Sequence, residues 1–161
     1  MAENRSHKFE FISDGPRETR NLGQAIGANC RGGEVILLFG QLGAGKTTFV
    51  QGLARGLGVR GTVQSPSFVL ERIHKGTLVL RHLDLYRLSA EEVEDSGLLE
   101  GAGDAEVTVV EWADRAPWMP DATVSVGIQV HDDEPSRRTL LVETESPEWE
   151  SLLRGVKIDD R

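Results

Sequence analysis

Short apolar runs alternate with stretches whose apolar residues fall three or four apart, a mixed α/β pattern. Phe9-Glu10-Phe11-Ile12 predicts a strand. Ser13-Asp14-Gly15-Pro16 then turns into a helix with Asp14 as its N-cap and Leu22, Ile26 and Cys30 on one face. Arg31-Gly32-Gly33-Glu34 breaks that helix ahead of the apolar strand Val35-Ile36-Leu37-Leu38-Phe39. A second helix takes in Thr48-Phe49-Val50-Gln51-Gly52-Leu53-Ala54 and ends near Gly56 and Gly58, and Gly61 to Ser67 reads as a loop. Phe68 to Ile73 and Thr77 to Leu83 are β-rich runs joined at Lys75-Gly76, so they predict an antiparallel hairpin. Ser89-Ala90-Glu91-Glu92 has the form of a capping box and opens a short acidic helix. Val107 to Val110 is a compact buried strand. Thr123 to Val130 and Thr139 to Glu143 form a second hairpin about the polar turn from His131 to Arg138. Trp149, Leu152 and Leu153 suit a short helix in a tail expected to fray beyond it.

Between the strand at Val35 and the helix that follows stands Gly40-Gln41-Leu42-Gly43-Ala44-Gly45-Lys46-Thr47, which reads G-x-x-x-x-G-K-T. Glycines let successive backbone N–H groups curl round phosphate oxygens, and the dipole at the start of the next helix favours the anion. Lys46 then reaches the β- and γ-phosphates, and the Thr47 hydroxyl suits a Mg2+ ion. Two hairpins cannot fit an all-parallel sheet, so the expected architecture is a three-layer α/β P-loop NTPase fold with a mixed central sheet. The expected organisation is a flexible N-terminus over residues 1–8, one domain over 9–146 and a tail over 147–161.

Composition narrows the partners more than the fold. At 161 residues one core suffices, and a net charge of −8 argues against a broad nucleic-acid face. Cys30 is the single cysteine, which excludes a disulfide framework, and no Cys/His cluster has zinc spacing. The polar start from Met1 to Lys8 lacks the apolar core of a signal peptide, and no run is long enough to span a bilayer. A cytoplasmic protein without a membrane partner is expected.

A P-loop leaves the base and the reaction open. A guanine-reading N-K-x-D is missing, because Asn4, Asn21 and Asn29 are the only asparagines and none begins it. A small-metabolite kinase usually carries an arginine-rich lid, and Arg137-Arg138 is the only arginine pair. A nucleotide-binding regulatory module with negligible turnover is a third reading. An acidic residue ending an apolar strand would help hold Mg2+; Glu111 ends the run from Val107, and Asp84 ends the run from Thr77, a strand that could lie at a sheet edge. His82 shares a face with Asp84 and reads best as a packed, hydrogen-bonded histidine. Cys30, with no base or cationic cluster beside it, reads as helix packing.

Leu42-Gly43-Ala44-Gly45-Lys46-Thr47-Thr48-Phe49, Ser65-Pro66-Ser67-Phe68, His82-Leu83-Asp84-Leu85-Tyr86-Arg87-Leu88 and Glu111-Trp112 together resemble the TsaE (YjeE) family, from about Phe9 to Val142. The H-x-D-x-Y-R and E-W elements are the specific part. Ser67 departs from the family's usual threonine but keeps the hydroxyl. The resemblance implies the ATPase component of tRNA threonylcarbamoyladenosine biosynthesis, acting with TsaD and TsaB and meeting tRNA mainly through that complex. It implies phosphate binding by Gln41, Leu42, Gly43, Ala44, Gly45, Lys46, Thr47 and Thr48. It also implies Mg2+ held by Thr47 and Glu111, and Asp84 acting near the metal or its waters in hydrolysis of ATP. Ser65-Pro66-Ser67 then resembles a switch-like loop near the γ-phosphate, and Trp112 an aromatic beside the nucleotide. The resemblance also implies that the segment from Ser13 to Thr19 approaches the adenine. Tyr86 and Arg87 are expected to form part of a docking surface or to orient the loop; an arginine-finger role is open to Arg87 or Arg115, with surface ion pairing the expected use.

Overall fold

The computed structural model describes residues 5–63, 70–97, 103–115 and 121–159, with Arg115 described by its backbone alone. Its centre is a seven-stranded sheet. In chain order come β1 (His7–Ser13), α1 (Pro16–Ala28), β2 (Val35–Phe39), α2 (Lys46–Gly56), β3 (Glu71–Lys75) and β4 (Val79–Asp84). Then follow α3 (Ala90–Ser96), β5 (Glu106–Glu111), a 3-10 turn at Ala113–Arg115, β6 (Val124–Val130), β7 (Arg138–Thr144) and α4 (Pro147–Arg154). The spatial order is β1-β7-β6-β2-β5-β4-β3. β2 lies parallel to β5 and β6, and β4 parallel to β5, while the β1/β7, β6/β7 and β3/β4 pairs are antiparallel. This is the mixed sheet expected from the two hairpins. β4 is an inner strand; β3 takes the edge.

Alternation along β2 builds both cores. Ile36 and Leu38 join the larger cluster with Leu22, Ile26, Phe49 and Leu53 of α1 and α2, whereas Leu37 faces Leu83, Val93 and Val110 on the other side. Helices therefore cover the two faces of the sheet unequally, and the larger core ties the P-loop helix to α1. That joint is tight. A Cβ on Gly52 would stand 2.0 Å from the Arg20 carbonyl oxygen, so only glycine allows the two backbones to approach this closely.

Local signals differ from their expected use at two places. The N-cap of α1 is Gly15, not Asp14, and no side chain caps it; the Asp14 N–H instead bonds to the Glu18 carboxylate. With Pro16 at the first turn, one backbone donor that would need a cap is already missing. The tail does form a helix, capped by Ser146, but it does not fray directly afterwards. Ile158 is buried in the larger core, and its carbonyl accepts from Asn21. Ser89 and Glu92 do form the reciprocal capping box at α3.

Candidate functional site

Parallel strands bring three chemical groups to one end of the sheet. Leu38 of β2 lies opposite Glu111 of β5, and Glu111 lies opposite Asp84 of β4. All three strands run the same way, so their carboxyl ends share a rim where open α/β sheets bind ligands. The glycine loop leaves β2 at this rim and enters α2 through Gly45, whose φ of 112° is left-handed backbone that a side chain would strain. Across the rim lies a cavity of about 520 Å³. It is lined by Leu42, Gly43, Gly45, Lys46, Thr47, Thr48, Asp84, Glu111 and Trp112, joined by Leu70, Tyr86 and Arg87.

Lys46 is 5 % exposed and donates from Nζ to the carbonyls of Gly40 (2.6 Å) and Gln41 (3.0 Å). The same ammonium sits 3.9 Å from the centre of the Trp112 ring, a cation–π contact. Burial lowers the Lys46 pKa, and Glu111, Asp84 and Asp114 oppose that shift by favouring the charged form. The result is a cation held by its own loop, facing two carboxylates. Trp112 itself adopts φ 59°, uncommon for a non-glycine residue, and its ring lies 4.7 Å from that of Tyr86. Asp84 is fixed by the N–H of Tyr86, which donates to Oδ1 at 3.0 Å.

The donors at the rim include the Thr47 hydroxyl and two carboxylates, all hard oxygens, with Asp84 and Glu111 in lateral register on adjacent strands. Among the described residues no cluster of three or more His, Cys, Asp or Glu could cage a metal unaided. That combination fits Mg2+, which takes one or two protein carboxylates and completes its shell with water and substrate phosphates.

The remaining expected site residues divide. Gln41 is not in the lining of this cavity, and its carbonyl holds Lys46. Ala44 and Thr19 border a neighbouring cavity of about 360 Å³, on the side of the loop facing Gly15, Pro16 and Arg138; Thr48 borders both cavities. Thr19 is buried there, with its hydroxyl 2.8 Å from that of Ser13. Ser65, Pro66 and Ser67 lie outside the described residues, as does the Arg115 side chain. Arg87 lines the main cavity; it is not confined to an outer surface.

Sequence reading missed Arg138. From the start of β7 its guanidinium donates to the carbonyls of Ala44 (2.8 Å) and Gly43 (3.5 Å), bracing the glycine loop from outside. A signal existed: β7 returns antiparallel to β6, which parallels β2, so the first residue of β7 must lie at the glycine-loop end. The contact of His82 with Glu111 was also missed. The expectation of a packed, hydrogen-bonded histidine holds, and the partner is the carboxylate at the cavity. Cys30 packs against the larger core, and its thiol is pushed up to about 12 by burial and by Glu34, in keeping with a structural role.

A glycine loop joining a central parallel strand to a helix, with carboxylates ending the next strands, defines a P-loop NTPase fold. Residues 13–140 match the family model described as "Threonylcarbamoyl adenosine biosynthesis protein TsaE", and the chain belongs to the TsaE family. It is 40% identical over 124 residues to the tRNA threonylcarbamoyladenosine biosynthesis protein TsaE of Treponema pallidum (strain Nichols), covering 76% of this chain and 92% of that protein. The protein of the same name from Nostoc sp. is 41% identical over 133 residues, covering 80% and 81% respectively. The crystal structure of Bacillus subtilis YdiB superposes with a TM-score of 0.71 at 27% identity, covering 93% of this chain and 94% of that one.

Proposed function

We propose that this chain binds ATP with Mg2+ and hydrolyses it in support of threonylcarbamoyl transfer to adenosine 37 of tRNAs that read codons beginning with adenine, acting with TsaD and TsaB. The observation that carries the reading is the convergence of Lys46, Thr47, Asp84 and Glu111 on one cavity beneath a glycine loop, in a chain of the TsaE family. Lys46 and the loop amides would bind phosphate, drawing the ammonium from the Gly40 and Gln41 carbonyls toward better acceptors. Thr47 and Glu111 would hold Mg2+, which when bound supplies charge neutralisation for the β- and γ-phosphate oxygens. Asp84, tethered by the Tyr86 amide, would orient water near the γ-phosphate. Thr48 borders both cavities, so the nucleoside would extend past it into the one bounded by Thr19 and Arg138.

The experiment is label transfer. With γ-labelled ATP, Mg2+, TsaD, TsaB, tRNA and a pool of small metabolites, label should appear as free phosphate. Labelled small metabolites would support a kinase instead, and binding without any release would support a regulatory module.

A further inference from the structure

His82 lies in the middle of β4, on the face that packs against the larger core. Its inner neighbours there are apolar, Leu80 two residues earlier and Val109 directly opposite on β5, both fully buried, while Arg72 lies opposite on the edge strand β3 and Asp84 follows on the same face. A leucine would suit this position by packing alone. The imidazole is 0% exposed, and its Nδ1 has no hydrogen-bond partner among the described residues. A buried polar atom without a partner is unfavourable, so the ring needs a compensating contact elsewhere.

That contact is with Glu111. His82 Nε2 lies 2.5 Å from Glu111 Oε2, and among the described residues no other hydrogen bond reaches the Glu111 side chain. The pair is buried, at 0% and 3% side-chain exposure. Glu111 ends its strand with a flexible side chain in a wide cavity, where several rotamers would otherwise compete. A donor fixed to the adjacent strand selects one of them and occupies Oε2, leaving Oε1 for the cavity. Residues that hydrogen-bond a ligating carboxylate set its orientation and thereby the site's affinity for its metal.

From this geometry we infer that His82 is a positioning residue: through Nε2 it holds the Glu111 carboxylate in the orientation that receives Mg2+. The inference rests on the proposed Mg–ATP function and adds to it a residue that touches neither nucleotide nor metal. A histidine that only fills the core would leave the metal requirement of nucleotide binding unchanged when replaced by a well-packed apolar residue.

The test is calorimetric binding of a non-hydrolysable ATP analogue, with EDTA and then across a Mg2+ titration. It compares wild type, His82→Leu and His82→Gln, whose amide reaches Glu111 as Nε2 does. Metal-free affinity should match in all three. The Mg2+ concentration giving half the metal-dependent gain should rise by about 10- to 100-fold in His82→Leu and return to near wild type in His82→Gln. In a Glu111→Gln background, His82→Leu should add no further change. If His82→Leu fails to fold, His82→Asn, polar but too short to reach Glu111, takes its place. An unchanged Mg2+ requirement in the leucine or asparagine variant overturns the inference, as does an equal loss of metal-free affinity. A wild-type chain whose nucleotide binding ignores Mg2+ overturns the functional reading, and the inference with it.

Discussion

Lys46 is a buried cation satisfied by two carbonyls of its own loop and by the Trp112 ring, so nucleotide need only exchange one set of acceptors for a more strongly charged one. Replacing it removes a charge-assisted contact of about 1.5–3 kcal/mol. Lys46→Ala should therefore weaken ATP binding roughly 10- to 150-fold with the fold intact, measured by titration alongside a thermal melt. ATP binding as tight as wild type would remove the phosphate role from this loop. The two carboxylates should separate. Glu111→Ala takes away an oxygen that would ligate the metal, so Mg–ATP affinity should fall. Asp84→Ala, which removes the group proposed to act through water, should lower turnover with a smaller loss of affinity. A Mg2+ titration and a phosphate-release assay on each variant check this, and exchanged phenotypes would exchange the roles. Cys30 gives a pH prediction. A thiol held at about 12 is almost wholly protonated at pH 8, whereas an unfolded chain near the ordinary value is substantially ionised. Alkylation of the folded chain at pH 8 should be at least about a hundredfold slower than in denaturant, and should speed up as pH rises toward 12. Comparable rates would show that burial does not protect the thiol.

Elements differ in how far their chemistry reached the surface of the sequence. The strand–glycine loop–helix unit, both hairpins and the Ser89 capping box were legible because each is specified by residues close together in the chain. Asp84 and Glu111 were legible as strand-end carboxylates, but their mutual register was not, since it depends on β4 and β5 pairing across a helix. Two contacts were hidden for the same reason. Arg138 reaches Ala44 across 94 residues and His82 reaches Glu111 across 29, and periodicity reports which face a side chain takes, not which strand lies beside it. The misplaced N-cap of α1 has a local cause, because proline at the first turn already lacks the donor that Asp14 was expected to satisfy. At this scale the joint between α1 and α2 is the most exacting feature. In Gly52→Ala a methyl group would meet the Arg20 carbonyl oxygen at 2.0 Å, and backbone cannot yield as a side chain does. Overpacking should outweigh the better helix propensity of alanine and leave a net loss on the order of 2 kcal/mol. Thermal unfolding should show Tm lower by roughly 4–8 °C. An unchanged melt would mean that the helices separate without cost.

At the scale of the whole molecule, the proposed function predicts that a protein partner, more than RNA, completes the site. A net charge of −8 offers little counterion release on RNA, so tRNA alone should bind weakly at physiological salt. Apolar side chains crowd the cavity mouth instead: Leu42, Leu70 and Tyr86 line it and are 73%, 39% and 41% exposed. Clustered exposed apolar surface at a binding cavity favours protein contact. The ammonium of Lys46, engaged by its own loop and covered by Trp112, describes a site that a docking surface can reorder. Stimulation of P-loop hydrolysis by groups supplied from a second protein has this same logic: the partner completes the charge and orders the loops around the γ-phosphate. This chain alone should therefore release phosphate slowly, with little change on adding tRNA, and markedly faster with TsaD and TsaB. Leu70→Asp, which places a charge at one of these exposed apolar positions, should reduce that stimulation. Phosphate release by the chain alone, with tRNA, and with TsaD and TsaB, and by the variant with TsaD and TsaB, decides the matter. Full activity without partners, or stimulation by tRNA but not by the TsaD–TsaB pair, would contradict an activity completed by protein docking.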